Sequence, residues 1–203
     1  MTISLERKGM LIVISSPSGG GKSSVIHEIL EAYGQIEYSV SVTSRPPRPG
    51  EKDGYSYQFV SEEQFKEWIE QDRFYEWAVV HDHLYGTRKD VIKEKLSRGK
   101  DVIMDLDFQG GLNVKKQSPD ALLIFLLPPS MKILEKRLRL RKTDTEKVIR
   151  IRLKNATEEI RHATEYDYVV INDDLEKTID QVKGIIESEG FRSNRLKILM
   201  QDE

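Results

Sequence analysis

Three consecutive glycines followed by a lysine and two serines are the first residues of this sequence that could do chemistry. They stand in the segment SSPSGGGKSS (15–24), directly behind the apolar run MLIVIS (10–15). Glycine permits backbone torsions that turn successive N–H groups toward one point, and the N-terminus of a following helix adds to the attraction for an anion. Lys22 would place a positive charge on bound phosphates, and the Ser23 hydroxyl could ligate Mg²⁺. The pattern predicts a phosphate loop; the alternative is a glycine-rich surface loop with an incidental lysine.

The match to the phosphate-loop pattern G-x-x-x-x-G-K-[ST] spans residues 16–23, with a serine in place of the first glycine. The loop follows an apolar strand and precedes a helical pattern, which is the context that this chemistry needs. We therefore expect the following residues to bind a nucleoside triphosphate: Ser16, Pro17, Ser18, Gly19, Gly20, Gly21, Lys22, Ser23 and Ser24.

A second anion site is indicated by the segment SVTSRPPRPGEKDGYSY (41–57). It supplies Ser41, Arg45, Arg48, Tyr55 and Tyr57, and the prolines beside the arginines stiffen the backbone and limit the entropy lost on binding. Two arginines with a serine and a tyrosine are suited to holding a phosphate monoester. An arginine-bearing solvated loop is the alternative interpretation.

The elements that must position these residues follow from the apolar runs. Four runs predict buried strands: MLIVIS (10–15), DVIMDLD (101–107), ALLIFLL (121–127) and DYVVIND (167–173). Each is nearly continuous, which is typical of strands in a parallel sheet that is covered on both faces. Helical patterns lie between them, including one that Ser130 would cap and a long one from Asp144 onward. Strands that alternate with helices predict an α/β fold with a parallel sheet core and helices on both faces.

The section from about 38 to 88 differs, because it alternates polar and apolar residues and is interrupted by proline and glycine. It predicts short, partly antiparallel strands around a helix at about 62–71, in a small lobe inserted into the core. The last stretch, FRSNRLKILMQDE, reads as an amphipathic tail to which we assign no function.

Composition limits the function further. The 203 residues suit one domain with small inserted lobes, and no apolar run approaches the roughly 20 residues of a membrane helix. The absence of cysteine excludes disulfides, thiolate zinc sites and cysteine nucleophiles. A net charge of −2 argues against a general nucleic-acid binder. With no secretory signal at the N-terminus, we expect a cytoplasmic protein that acts on small molecules, without a nucleic-acid or membrane partner.

The sequence resembles the guanylate kinase family, whose members phosphorylate GMP with ATP. The family's run S-x-x-[ST]-R-x-x-R-x-G-E-x-x-G-x-x-Y is present from Ser41 to Tyr57. FYEWA, HLYGT and DLDFQG then match three further family landmarks in the same order. The resemblance covers about residues 9 to 188. It implies a P-loop nucleoside monophosphate kinase fold, with a mixed-β GMP-binding lobe and an arginine-rich lid inserted into the core.

The resemblance also implies site residues. GMP would be bound by Ser41, Arg45, Arg48, Tyr57, Glu76, Tyr85, Thr87 and Asp107, with Glu76 and Thr87 reading the guanine. Asp105 and Asp107 would lie between the substrates, with Ser23 and Asp105 as candidate Mg²⁺ ligands, and Asn172 and Asp173 near the adenine. The expected catalytic set is Lys22, Arg45, Asp107 and three lid arginines, Arg137, Arg141 and Arg152. The alternative for Asp105 and Asp107 is a pair of charges that merely end a buried strand.

The lid departs from the family in one respect. A glycine usually lies between or just after the paired arginines, whereas this sequence reads Leu140-Arg141-Lys142-Thr143. The expected boundaries are a kinase-like domain at 9–188, with core 9–37 and 89–188, lobe 38–88 and lid 137–155, followed by the tail 189–203.

Two other functions fit parts of this pattern. A kinase of the same fold could use another acceptor, such as a ribose bisphosphate, although a sugar phosphate offers no guanine edge to Glu76 and Thr87. A non-catalytic interaction module could retain the fold, although such modules have decayed substrate sites. The principal prediction is an ATP:GMP phosphotransferase that uses Mg²⁺ and also accepts dGMP.

Overall fold

The computed structural model describes residues 2–80, 82–140 and 144–201. The strands are β1 (Thr2–Arg7), β2 (Leu11–Ser15), β3 (Ile36–Tyr38), β4 (Val42–Thr43), β5 (Gln58–Phe59), β6 (Phe74–Val80), β7 (His83–Arg88), β8 (Asp101–Asp105), β9 (Leu122–Leu127), β10 (Tyr168–Ile171) and β11 (Leu196–Gln201). The helices are α1 (Lys22–Ala32), α2 (Glu62–Glu70), α3 (Lys89–Ser97), α4 (Phe108–Gln117), α5 (Met131–Leu140), α6 (Glu146–Arg161) and α7 (Leu175–Gly190).

The core is a five-stranded parallel sheet in the order β10-β9-β2-β8-β3. All four strands that the apolar runs predict are present, one or two residues shorter at their ends. The fifth strand, β3, was not predicted, and it places Tyr38 at the edge of the core sheet instead of in the inserted lobe. Because β2 lies between β8 and β9, the loop that follows β2 opens at the centre of the carboxyl edge of the sheet, where α/β proteins bind ligands.

Helices cover both faces of this sheet. On one face, Ile12 and Ile14 of β2 pack with Val25 and Ile29 of α1 and with residues of α7. On the other face, Val13 packs in a cluster with residues of α3 and α4. The alternation of side chains along β2 thus supplies both layers, which explains why the run LIVIS is buried throughout. The predicted three-layer α/β core is confirmed.

The inserted lobe is a four-stranded mixed sheet in the order β5-β4-β7-β6, packed against α2. β7 is antiparallel to β4 and β6, whereas β4 and β5 are parallel. Phe65 and Phe74 stack at the centre of its small core, with ring centroids 4.4 Å apart. The lobe is therefore a separate packing unit, as its alternating sequence predicted.

The predicted lid, residues 137–155, begins within α5 and ends within α6, and these two helices pack through Leu134, Leu138 and Ala156. Ser130 caps α5 as predicted, since its hydroxyl accepts the Ile133 N–H at 3.2 Å. The arginine expected at position 141, and the two positions after it that lack the family's glycine, lie outside the described residues.

The ends of the described chain form a structure that the sequence pattern did not predict. β1 and β11 pair antiparallel over six residues each and belong to neither larger sheet. The segment interpreted as an amphipathic tail thus contains the six-residue strand β11. In the described residues, no helix is long and apolar enough to span a membrane.

Candidate active site

The glycine loop between β2 and α1 has the backbone geometry that anion binding needs. Gly19 and Gly21 have φ values of 91° and 92°, which side-chain-bearing residues rarely adopt. Gly20 donates its N–H to the Pro17 carbonyl at 2.8 Å, which closes the turn. Residues 16–23, together with Asp105, Asp107 and Glu159, line an open pocket of about 330 Å³. Ser24 follows on the exposed side of α1.

Two side chains from the far end of the sequence hold this loop. The buried Asn172, just after β10, donates its side-chain N–H to the Gly20 carbonyl at 2.7 Å. Arg137 of α5 donates to the same carbonyl at 3.4 Å and to the Asn172 carbonyl at 2.9 Å. A Cβ on Gly21 would lie 2.3 Å from the Asn172 amide nitrogen, so this position needs glycine for space as well as for φ. Asn172 therefore underpins the loop, whereas its neighbour Asp173 is exposed.

Lys22 reaches across the end of the central strands. Its ammonium donates to the Leu106 carbonyl at 2.9 Å and forms an ion pair with Asp105 at 2.5 Å. Asp107 turns its carboxylate to the N-terminus of α4, where Oδ1 accepts the Gly110 N–H at 2.8 Å. The cap satisfies a helix N–H group and engages only one of the two carboxylate oxygens. Both aspartates thus line the loop pocket, at the end of a buried strand as predicted.

A buried hydroxyl chain joins the loop to Asp107. Tyr166 donates to the Ser15 hydroxyl at 2.8 Å, and that hydroxyl donates to the Asp107 carbonyl at 3.3 Å. Burial raises the pKa of Tyr166 to about 12, so the phenol stays protonated as a donor. Gly111 of α4 leaves room for this contact, because a Cβ there would lie 2.4 Å from the Tyr166 hydroxyl. These two hydrogen bonds fix the position of Ser15, at the start of the loop, relative to the backbone of Asp107.

The lid arginines differ in their partners. Arg152 of α6 donates to the Ser18 hydroxyl at 3.2 Å and pairs with Asp144 at 3.3 Å. Arg137 is bonded to backbone carbonyls beneath the loop, so it is part of the loop's support. Arg141 lies outside the described residues.

Glu159 of α6 is a site residue that the sequence did not reveal. It lines the loop pocket and accepts the Ser18 backbone N–H. Partial burial, with the nearby charge of Asp107, raises the pKa of Glu159, while the Ser18 bond and Lys22 oppose that shift. No short-range pattern marks it, because Glu158 and Glu159 look alike in sequence and only the helix face separates them.

In the lobe, the predicted phosphate-binding residues Arg45, Arg48, Tyr57 and Tyr85 form what we call the cradle. Its central residue, Arg45, is almost fully buried. The guanidinium donates through Nε to the Tyr85 hydroxyl at 3.1 Å and through Nη2 to both oxygens of Glu51, at 2.8 and 2.9 Å. It also lies 5.6 Å from the centre of the Tyr57 ring. Arg45 therefore lies in one cluster with the two tyrosines that the resemblance assigned to the same phosphate.

Glu51 ties the two cradle arginines together. Besides Arg45, its carboxylate accepts the Arg48 backbone N–H at 2.7 Å. The bonds from Arg45 and then Arg48 lower the pKa of Glu51, so the carboxylate stays ionised. The Arg48 side chain itself is exposed, and Ser41 lies partly buried beside β4, where its carbonyl accepts the Gln58 N–H at 2.9 Å. The sequence pattern includes Glu51 but did not indicate this positioning contact.

Glu76 and Thr87 meet on neighbouring strands β6 and β7. They are register partners, and the Thr87 hydroxyl donates to Glu76 Oε1 at 2.8 Å. Burial raises the pKa of Glu76 and the charge of Asp107 adds to the shift, whereas the Thr87 hydrogen bond opposes it. A carboxylate and a hydroxyl, held side by side and largely withdrawn from water, can read a pattern of donors and acceptors on a planar ligand.

Tyr38 connects the two halves of the site. It ends β3 and is about 40% exposed, and the partial loss of water around it, together with the charges of Asp105 and Tyr57, raises its pKa to about 12. One residue is thus close to both the strand-end carboxylate and the lobe cradle. The charge of Asp107 likewise contributes to the raised pKa of Glu76, so the lobe pair lies within electrostatic range of the carboxylate at the start of α4.

The donor chemistry beside the loop fits a hard divalent cation. Ser23 and Asp105 supply oxygen atoms at the same pocket as the loop N–H groups, as the sequence predicted for Mg²⁺. Within the described residues, no group of three or more His, Cys, Asp or Glu side chains could hold a metal by itself. This arrangement suits Mg²⁺ that arrives with phosphate ligands and needs only one or two protein oxygens.

Comparison with known proteins adds independent evidence. The sequence model of the family described as guanylate kinase matches residues 8–189. The chain is 45% identical to the guanylate kinase of Caldanaerobacter subterraneus subsp. tengcongensis over 197 residues, which cover 97% of this chain and 96% of that protein. It is 47% identical to the guanylate kinase of Rickettsia prowazekii over 184 residues, or 91% and 93% of the two chains. The crystal structure of guanylate kinase from Anaplasma phagocytophilum superposes with a TM-score of 0.74 at 33% identity, covering 95% of this chain and 92% of that one.

Proposed function

Because this chain belongs to the guanylate kinase family, we propose that its loop pocket and its lobe cradle are the ATP and GMP sites of one phosphoryl-transfer centre. The enzyme transfers the γ-phosphoryl group of ATP to GMP and yields ADP and GDP. What remains to be assigned is the part that each residue plays.

The observation that carries the assignment is the Glu76–Thr87 pair. Guanine presents two adjacent donors on its Watson–Crick edge, N1–H and the 2-amino group. An ionised carboxylate offers two acceptors at a matching separation, so the contact would be bidentate and charge-assisted. The Thr87 hydroxyl, which now donates to Glu76 at 2.8 Å, can instead donate to guanine O6. Adenine reverses the pattern, because its N1 has no proton and an amino group stands where guanine has O6.

Beside this pair, the cradle suits the phosphate of GMP. We assign the phosphate to Arg45, Arg48, Tyr57, Tyr85 and Ser41. Glu51 and Tyr85 already fix the orientation of the Arg45 side chain, so that side chain would lose little conformational entropy when phosphate binds. The assigned groups contact only base and phosphate, so dGMP is expected to be a substrate as well.

At the carboxyl edge of the core sheet, the glycine loop would hold the β- and γ-phosphates of ATP. Its N–H groups, together with Lys22, favour the anion. Ser23, with Asp105 nearby, would hold Mg²⁺, which would supply positive charge against the phosphates when it is bound. Asn172 supports this loop from below, and Asp173 stands exposed at the same strand end, where the adenine is expected.

Phosphoryl transfer then needs positive charge around the transferred group and exclusion of water. Lys22 and Arg152 lie at the loop, and Arg137 supports it by donating to the Gly20 carbonyl. We propose Arg141 as a further cation of this set on the sequence resemblance. We assign Asp107 to orienting the acceptor, a role supported by the bond from the Gly110 N–H that fixes one of its carboxylate oxygens.

We further infer that the enzyme works on free nucleotides in the cytoplasm. The proposed division assigns residues 9–38 and 89–188 to the core, because Tyr38 belongs to β3, and residues 39–88 to the GMP lobe. Residues 137–155, within the second core segment, form the proposed lid. No larger partner is required, since both substrates are small molecules.

The test is base selection by Glu76→Gln, with GMP and AMP as acceptors in a coupled ADP-release assay. The substitution keeps the volume but turns one acceptor into a donor that opposes a guanine donor. It should lower kcat/KM for GMP by about 10- to 100-fold, as expected for a charged hydrogen bond left unpaired, and narrow the GMP-to-AMP ratio. The matched control is Glu70→Gln, the same change at an exposed position of α2 in the same lobe.

The outcome separates recognition from stability. If Glu76→Gln melts much earlier than the control yet prefers GMP by the wild-type ratio, Glu76 is structural and the guanine contact lies elsewhere. Ribose phosphates, included as acceptors, test the other kinase function, and a wild-type protein without turnover on any acceptor would indicate an interaction module.

A further inference from the structure

Strand β6 of the lobe contains a bulge immediately before Glu76. Phe74 is the register partner of Arg88 and Glu76 is the partner of Thr87, so Tyr75 is an extra residue without a register partner in β7. A bulge changes the direction of the side chains around it. Accordingly, Phe74 packs in the small core of the lobe, whereas Tyr75 packs in the cluster that joins α3 and α4 to the core sheet. Two consecutive side chains thus belong to two different hydrophobic cores, and Glu76 comes directly after them.

Tyr75 is held at both its side chain and its backbone by the end of α4. The side chain is buried, and its hydroxyl accepts a hydrogen bond from the Ser118 hydroxyl at 3.2 Å. The Tyr75 carbonyl accepts the side-chain N–H of Gln117 at 2.7 Å. Gln117 is the last residue of α4 and Ser118 is its C-cap. The bulged residue is therefore fixed to the core by two polar contacts and by the burial of its ring.

The same helix begins at the reaction centre. Asp107 caps α4, and its carboxylate accepts the Gly110 N–H at 2.8 Å. The helix has 10 residues, which correspond to a length of roughly 15 Å. One rigid element thus carries the carboxylate that we assign to the acceptor at its first turn, and the partners of Tyr75 at its last turn. The position of Glu76 relative to Asp107 is set through α4 as well as through the sheet of the lobe.

The rest of β6 is held less closely. In the part of the chain that the structure describes, β6 is an edge strand and pairs with β7 alone. An open pocket of about 340 Å³ lies against it, lined by residues of β6 and α4 that include Trp77, Asn113 and Lys116. Packing between the strand and the helix is therefore incomplete next to Glu76. The contacts at Tyr75 consequently have a large part in fixing the strand.

We propose that Gln117 and Ser118, acting through the bulged residue Tyr75, position Glu76 for the recognition of guanine. This inference rests on the proposed function, in which Glu76 binds the Watson–Crick edge of the base. Neither residue would touch the nucleotide, so both are positioning residues. A bidentate contact depends on the alignment of both carboxylate oxygens, and a displacement of about 1 Å weakens such a contact strongly.

The experiment removes both polar contacts and keeps the buried ring, in the double variant Tyr75→Phe/Gln117→Leu. KM for GMP should rise about 10-fold and the GMP-to-AMP ratio of kcat/KM should fall by a similar factor, with about threefold changes in each single variant. The values of kcat and of KM for ATP should stay within about twofold of wild type, because the loop pocket is unchanged. The matched control is Gln181→Leu, the same change at an exposed position of α7, which should behave as the wild type does.

A second measurement repeats the double change in a Glu76→Gln background. Because the contacts act through Glu76, they should then alter kcat/KM for GMP by less than about twofold. A loss of equal size in both backgrounds would overturn the inference, since it would show a general effect on structure. An unchanged GMP-to-AMP ratio in the double variant, or equal rises of KM for both substrates, would do the same.

The failure of this inference can be told apart from the failure of the proposed function. If Glu76→Gln narrows the GMP-to-AMP ratio but Tyr75→Phe/Gln117→Leu does not, Glu76 reads the base without help from α4, and only the present inference falls. If Glu76→Gln leaves the ratio at its wild-type value, the assigned base contact is wrong and the inference falls with it. The Gln117→Leu variant keeps the answer accessible even if the double variant does not fold, because Gln117 is exposed on α4.

Discussion

The hydroxyl chain from Tyr166 to Ser15 makes a sharp prediction about Gly111, which lies against it in α4. A Cβ at Gly111 would lie 2.4 Å from the Tyr166 hydroxyl and 3.3 Å from the Ser15 hydroxyl. Overpacking of a buried site costs about 1–3 kcal/mol, whereas alanine in place of glycine within a helix gains about 1 kcal/mol. Gly111→Ala should therefore lower the free energy of unfolding by about 1 kcal/mol.

The sign should reverse when the hydroxyl is removed. Tyr166→Phe alone loses one buried hydrogen bond and should cost about 1 kcal/mol. In that background the nearest atoms to the new methyl group lie at 3.3 Å, a distance that small shifts can relieve. Gly111→Ala should then be neutral or stabilising by up to about 1 kcal/mol. The two substitutions should therefore couple by about 1–2 kcal/mol.

Urea unfolding of the wild type, the two single variants and the double variant measures this coupling. Gly184→Ala is the matched control, because Gly184 lies in α7 and a methyl group added there would meet no atom within 4 Å, so only the helix preference should act. That control should gain about 0.5–1 kcal/mol in either background. A coupling between Gly111 and Tyr166 below about 0.5 kcal/mol would refute the argument, since independent sites add within that margin.

Four further predictions concern the site itself. Lys22→Met should leave the fold intact and lower kcat by on the order of 10²-fold or more with little change in KM for GMP; a turnover within a few-fold of wild type would exclude the assigned role. Glu51→Gln should raise KM for GMP several-fold and leave KM for ATP unchanged, because Arg45 loses its charged partner; equal effects on both substrates would indicate a general loss of structure. Since burial raises the pKa of Glu76, kcat/KM for GMP should fall as the pH drops through that raised value. Because the pKa of Glu76 is higher in the folded than in the unfolded protein, the ionised carboxylate destabilises the folded state above that pKa. Glu76→Gln should therefore have a higher Tm than the wild type at neutral pH, and the difference in Tm should shrink in acid. A lower Tm for the variant at neutral pH would contradict this.

The core of the fold could be predicted because each of its main strands is a continuous apolar run, and such runs have few other uses in a protein of this charge. The loop could be predicted because consecutive glycines by themselves indicate backbone conformations that other residues rarely adopt. Position 21 needs glycine for two reasons: its φ is positive, and a Cβ there would clash with the side chain of Asn172. By contrast β3 is only three residues long, too short for a period to show.

The parts that were missed depend on contacts between distant segments. The Ile3/Leu5 alternation of β1 is visible in the sequence, but its partner lies at the other end of the chain, and no local signal joins the two. Glu159 lines the loop pocket because it lies on the face of α6 that is turned toward the loop. The sequence alone does not show whether this position of α6 faces the loop or the solvent. Glu51 stood inside a recognised pattern, yet its contact with Arg45 depends on how the loop folds back.

The fastening of the glycine loop has a consequence for how the protein is made. The loop leaves the ribosome well before the groups that hold it, Arg137, Tyr166 and Asn172, which come late in the chain. Its strand β2 is also flanked by two strands that are synthesised well after it. A nascent chain would therefore carry its nucleotide loop in an unfinished form for most of its synthesis, and the loop would take shape only in a late, cooperative step of folding. Nucleotide could then stabilise the finished protein, but it could not guide the early stages of its folding.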